Sequence, residues 1–120
     1  MLIVDDHPDI LQTFSRLLRI SGFEVMTAPD GPVALQIAAA FRPLVVLLDI
    51  GLPIWDGYEV ARRLRSEVAL QPMTVIAVTG YGDEEHRRRS REAGFDAYLV
   101  KPVSLDVLFE TFSRFGFEPR

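Results

Sequence analysis

Cysteine is absent from the 120 residues, so the chain has no disulfide framework and no thiolate zinc site, which suits a reducing compartment. No apolar run approaches the roughly 18 residues that a membrane span requires, and the N-terminus lacks the basic stretch and apolar core of a secretory signal. A cytoplasmic protein without membrane insertion is therefore expected. Basic charge is in short supply as well: 13 Lys and Arg stand against 17 Asp and Glu, for a formal net charge of -4 and a pI near 5.1. Nucleic acid and anionic membranes both attract basic surfaces, so neither is expected as a direct partner, and proteins or cations are favoured. Repeats, low-complexity segments and internal linkers are missing too. What remains, 48% hydrophobic and 25% charged, fits one globular domain over residues 1–120 with a core large enough to fold unaided.

Two kinds of segment alternate along the chain. Short runs rich in Val, Ile and Leu occur at Leu2 to Val4, Phe23 to Thr27, Leu44 to Leu48, Thr74 to Val78 and Ala97 to Val100, and read as five strands. Between them lie helical periodicities: Ile10, Phe14, Leu17 and Leu18; Val33, Ile37, Ala38 and Phe41; Val60, Ala61 and Leu64; Leu105, Leu108, Phe109 and Phe112. Start signals accompany them, with Pro8 behind Asp6 or His7, Pro32 behind Asp30, Asp56 before the third helix and Ser104 before the last. Repeated strand and helix imply an α/β fold, a parallel sheet covered by helices on both faces. One crossover lacks the pattern: Glu84 to Glu92, EEHRRRSRE, has no apolar residue. A solvated helix held by acid and arginine pairs is expected there, and its small buried area makes it the place to expect mobility.

Right-handed crossovers point the carboxyl ends of all parallel strands to one edge, where ligands bind in open sheets. That edge gathers Asp5 and Asp6 from strand one, Asp49 from strand three, Thr79 from strand four and Lys101 from strand five. Strand two, ending Thr27-Ala28-Pro29, adds little chemistry, as befits an edge strand. Three neighbouring carboxylates repel one another unless a cation joins them. Oxygen ligands without clustered His or Cys suit magnesium. A lysine and a hydroxyl facing the same point complete the surroundings of a phosphoryl group, with Asp49 as the nucleophile that forms an acyl phosphate.

The segments IVDDHPD, LLDIGLPIWDGYEV, VTGYGDEE and AGFDAYLVKPV, in this order and spacing, resemble the receiver domains of bacterial two-component response regulators over nearly the whole chain. The resemblance implies a doubly wound, flavodoxin-like three-layer sandwich of strand order 2-1-3-4-5. It implies Asp49 as phosphoacceptor from a histidine kinase or histidine phosphotransfer protein, a regulatory phosphoacceptor domain rather than an enzyme. Asp5 and Asp6 become the acidic pair for Mg2+, for which Mn2+ can substitute, with Asp49 and the Gly51 carbonyl as further ligands. Thr79 and Lys101 would contact the phosphoryl group, Thr79 and Tyr98 would form the switch, and Lys101-Pro102 would be a cis peptide. The wording GLPIWDGYEVARRLR and GDEEHRRRSREAGFDAYLVKPV is similar to receivers at the C-terminal end of hybrid sensor histidine kinases. A free-standing regulator and a fragment of a longer protein are both open, as is the choice between monomer and weak dimer.

Taken singly, these residues have plainer explanations. Asp5-Asp6 could cap a helix, Asp49 could initiate a turn, Thr79 and Tyr98 could be ordinary strand residues, and Lys101 an exposed strand end. Convergence on one edge outweighs these readings. His7 and His86 read as solvated surface residues, Phe14, Phe41, Phe109 and Phe112 as core, and Phe115 and Phe117 as either core or contact surface. Trp55 follows the acceptor where a smaller apolar residue is common in such domains, and Tyr81 stands where it could affect phosphoryl lifetime, whereas Gly80 leaves the site open. A phosphohydrolase is disfavoured because DDHPD lacks the nucleophile pattern and no cap segment exists. A flavin carrier is disfavoured because acidic DDHPD repels phosphate. A phosphorylation-independent interaction module is the remaining alternative.

Overall fold

A computed structural model describes residues 1–68 and 72–118. The elements run β1 (Leu2–Val4), α1 (Pro8–Ile20), β2 (Met26–Ala28), α2 (Gly31–Phe41), β3 (Val45–Asp49), α3 (Gly57–Arg63) leading into a π-helical turn (Leu64–Val68), β4 (Thr74–Thr79), α4 (Glu84–Ala93), β5 (Ala97–Val100) and α5 (Leu105–Arg114). Every strand pairing is parallel, in the order β2-β1-β3-β4-β5. This is the doubly wound, flavodoxin-like sheet expected from the sequence.

Strand alternation divides the interior into two cores. Val46 and Leu48 of β3 join Leu2, Val4, Ala34, Ala38, Val60, Leu64, Val75 and Ala77 on the face covered by α2, α3 and α4. Their neighbours Val45 and Leu47 join Ile3, Leu18, Ile76, Leu108 and Phe112 beneath α1 and α5. β3 is buried at all five positions, so its unbroken apolar run reflects a central strand covered on both sides.

Three helix ends share a device that the expected boundaries missed. After α1, the Gly22 N–H donates to the Arg19 carbonyl and the Phe23 N–H to the Leu18 carbonyl, with Gly22 at φ 100°. The same pair of bonds closes α4 through Gly94 and Phe95, and α5 through Gly116 and Phe117. In each, glycine takes the left-handed conformation and the following phenylalanine closes the longer loop, as in a Schellman end. Phe23 is thereby used in ending a helix, and its ring packs on Phe109 and Phe112 at 6.2 and 5.4 Å. This corrects the expected second strand: Phe23 to Thr27 shifts to Met26–Ala28. Phe117 packs on the α1/α5 core, while Phe115 is 37% exposed.

Phe41 was expected in the core and is 64% exposed. α2 buries small residues, Gly31, Ala34 and Ala38, and Phe41 is its last residue, before Arg42 turns left-handed. There it borders Met1, Phe23 and Leu44 at the edge of the sheet opposite the strand ends.

Candidate functional site

The helix starts show which polar groups remain free for other work. Asp30, Asp56 and Ser104 each accept the N–H three residues on, from Val33, Glu59 and Val107. At α1 the capping position is His7, and no side chain caps it. Asp5 and Asp6 are therefore not spent on the helix, and the capping explanation for them falls away. Instead one Asp5 oxygen accepts the His7 N–H at 2.9 Å.

β1 and β3 are neighbours, so Asp5 and Asp49 emerge side by side, and both are buried. The Asp49 Oδ1 accepts the Gly51 N–H at 3.1 Å, and its Oδ2 lies 3.3 Å from the Lys101 Nζ. Lys101 also stands 3.8 Å from Asp5, and it is the only lysine in the sequence. Its backbone N–H is tied to the Thr79 carbonyl at 2.7 Å, and its bond to Pro102 is cis. One ammonium thus faces the carboxylates of Asp5 and Asp49, with Asp6 close by. Partly desolvated like charges at this spacing favour a further cation.

Single oxygens of Asp5, Asp6 and Asp49 and a ring nitrogen of His7 all lie within 4.8 Å of one another. A six-coordinate ion with bonds of about 2.1 Å sets neighbouring ligands about 3.0 Å apart and opposite ones about 4.2 Å apart. The donor set therefore fits a hard divalent ion after small movements. His7 differs from its expected role: its ring is exposed, yet Nδ1 is 3.0 Å from Asp5 and 3.2 Å from Asp6. The Asp5 hydrogen bond, with the charge of Asp6, raises its pKa above the usual histidine value. The residue types in DDH carried that signal, but the backbone turn that folds the imidazole onto the carboxylates is not visible as a spacing.

Thr79 ends β4 one residue past Val78, the register partner of Asp49, and is buried. Its Oγ1 accepts the Tyr81 N–H at 3.2 Å. The Tyr98 hydroxyl donates to the Tyr81 carbonyl, and burial pushes the Tyr98 phenol above its ordinary value. His86 is also other than a free surface residue: its ring stacks on Tyr81 at 4.6 Å and its Nδ1 pairs with Asp83.

The loop after Asp49 is packed closely behind the site. A Cβ on Gly57 would lie 2.7 Å from the Asp49 carbonyl oxygen and 2.6 Å from the Ile50 Cα. Trp55 packs against the α2/α3 core beneath the Arg63 guanidinium, 3.9 Å from the ring centre.

A five-stranded doubly wound sheet with buried acids, a lysine and a hydroxyl at its strand ends defines a phosphoacceptor signalling domain. Known proteins share this arrangement. The family model described as the response regulator receiver domain matches residues 1–113. The transcriptional regulatory protein PrrA of Mycobacterium tuberculosis is 44% identical over 108 residues, covering 90% of this chain and 46% of PrrA. The polar-differentiation response regulator DivK of Brucella anthropi is 34% identical over 115 residues, 96% of this chain and 94% of DivK. Among solved structures, the chemotaxis response regulator CheY4 of Vibrio cholerae is similar with a TM-score of 0.87 and 31% identity over 94% of each chain. The chain belongs to the response regulator receiver domain family. It spans about half the length of PrrA.

Proposed function

We propose that the domain accepts a phosphoryl group on Asp49 from the phosphohistidine of a histidine kinase or phosphotransfer protein, and thereby changes the surface built from α4, β5 and α5. The observation that carries this is the placement of the buried Asp49 carboxylate beside a second buried acid, with the chain's only lysine within 3.8 Å of both. One Asp49 oxygen attacks phosphorus, an O–P bond forms, the N–P bond breaks, and the imidazole of the partner leaves with a proton. Asp5, Asp6, Asp49 and the Gly51 carbonyl would hold Mg2+, which neutralises phosphoryl oxygens when bound, and Mn2+ has the same ligand preference. Lys101 pairs with the charge that develops on those oxygens. Thr79, released from the Tyr81 N–H, donates its hydroxyl to them, and Tyr98 follows into the space vacated. The output is a population shift whose size equals the phosphoryl group's differential interaction with the two conformations.

No helix among the described residues is long and apolar enough to cross a membrane. That fits a cytoplasmic domain meeting its partners in solution. DivK is named as a response regulator in polar differentiation and PrrA as a transcriptional regulator. Similarity to these regulators supports a regulatory role rather than turnover of a substrate.

Intact-mass spectrometry with a small-molecule phosphodonor tests it, together with Mg2+ calorimetry. Wild type should gain one phosphoryl group only with Mg2+ present, and Asp49→Asn none. An adduct of equal yield on Asp49→Asn refutes the assignment. Absence of both adduct and Mg2+ binding favours the phosphorylation-independent module.

A further inference from the structure

The imidazole of His7 is the one nitrogen donor among the four groups that converge at the strand ends. Its Nδ1 stands 3.0 Å from Asp5 Oδ1 and 3.2 Å from Asp6 Oδ1, close to the edge length of an octahedron with bonds of about 2.1 Å. A side chain packed elsewhere could not be recruited without cost. The His7 side chain is 62% exposed and its ring pairs with Asp5 and Asp6 of this group, so turning a lone pair toward a cation breaks no core contact. Carboxylates and water alone suit magnesium, whereas an imidazole ligand adds affinity for borderline ions such as Ni2+ and Zn2+ and little for magnesium.

We infer that His7 is a ligand in the cation site, and that it adds to this domain's preference for nitrogen-binding transition-metal ions over magnesium, beyond what the three carboxylates supply. The inference rests on the acid cluster being the cation site of the phosphoacceptor. Because carboxylate sites already bind most first-row ions more tightly than magnesium, the quantity at issue is the part of that preference that leaves with the imidazole.

The test uses the whole domain with MnCl2, NiCl2 and MgCl2 as probes. In pulsed electron paramagnetic resonance, Mn2+ bound to wild type should show modulation from a directly bound nitrogen. His7→Ala, which retains His86, should lose it. In calorimetry, His7→Ala should lose at least tenfold in Ni2+ affinity and under twofold in Mg2+ affinity. His7→Gln, which retains a polar side chain at the same place, should behave as His7→Ala does. Nitrogen modulation that is absent from wild type, or that survives in His7→Ala, overturns the inference while leaving the cation site intact. So does an equal loss of Ni2+ and Mg2+ affinity. Failure of wild type to bind Mg2+ at all overturns the cation site, and the inference with it.

Discussion

Two residues behind Asp49 show how the local backbone restricts what can stand beside the proposed acceptor. Gly57 has no room for a methyl group, because the obstacles are the backbone atoms of Asp49 and Ile50 rather than flexible side chains. Gly57→Ala should therefore lower stability in urea denaturation by about 2 kcal/mol, within the range of overpacked sites, and an unchanged midpoint would contradict the close approach. Ile54 is the opposite case. It is 73% exposed and has φ 71°, a conformation that branched L-residues avoid. Relief of roughly 1–2 kcal/mol of backbone strain, less the entropy that glycine restores to the unfolded chain, makes Ile54→Gly stabilising by about 0.5 kcal/mol. Tyr81 caps the open side of the site: its N–H holds Thr79, its carbonyl accepts Tyr98 and its ring stacks on His86. Tyr81→Ala should accelerate loss of phosphate from Asp49 several-fold in a mass-spectrometric decay course, and an unchanged decay removes any role for that ring. The acids, Thr79 and Lys101 were legible in the sequence because strand direction alone delivers them to one edge. His7 was not, because a turn rather than a strand brings it back onto Asp5.

Helix α4 shows how a segment whose one apolar residue is the buried Ala93 at its end is held to the sheet. Arg88 bridges Glu85 and Glu92 at 2.7 and 2.8 Å, the solvated pairs expected of EEHRRRSRE. The inner side is held differently: each of the chain's three tyrosines carries a basic side chain of α4. His86 stacks on Tyr81, Arg87 lies 4.9 Å from the Tyr98 ring centre and Arg89 4.3 Å from that of Tyr58. Such contacts contribute about 0.5–1 kcal/mol each at partly exposed sites, less than a buried leucine. Local opening is thus expected at lower free energy than global unfolding. Hydrogen exchange should find the amides of α4 less protected than those of β3 and β4, and Arg87→Ala should widen the gap with under 1 kcal/mol lost globally. Equal protection across the three elements would count against this. The acid pairing could be read from i,i+3 and i,i+4 spacing. The aromatic partners lie 5 to 31 residues away in sequence and only the fold brings them into contact. The Gly-Phe helix ends were hidden for another reason, since Gly22-Phe23 reads equally well as the approach to a strand.

Across the whole domain, the parallel order β2-β1-β3-β4-β5 explains why the candidate site residues gather at one edge. The buried cores on the two faces carry no polar chemistry beyond a few hydrogen-bonded residues, and no buried side-chain polar atom among the described residues lacks a partner. The fold class and nearly every element followed from alternation of apolar runs and helical periodicity, because a central parallel strand such as β3 has no solvent face to obscure the pattern, whereas the strand order came from the resemblance to receiver domains. Phe41 failed because periodicity assigns a face but not how far along that face the core extends. The route proposed for coupling site and surface is equally a property of the assembled domain: Thr79, Tyr81, Tyr98 and Arg87 form one chain of contacts from the strand ends to α4. The most direct test locates the phosphoryl group. After incubation with a small-molecule phosphodonor and Mg2+, borohydride reduction converts an aspartyl phosphate to homoserine, which peptide sequencing by mass spectrometry can place. Homoserine at position 49, formed only with Mg2+ present, is the expected result. Homoserine at position 5 or 6, or formation at position 49 that ignores Mg2+, would contradict the assignment of acceptor and cation ligands.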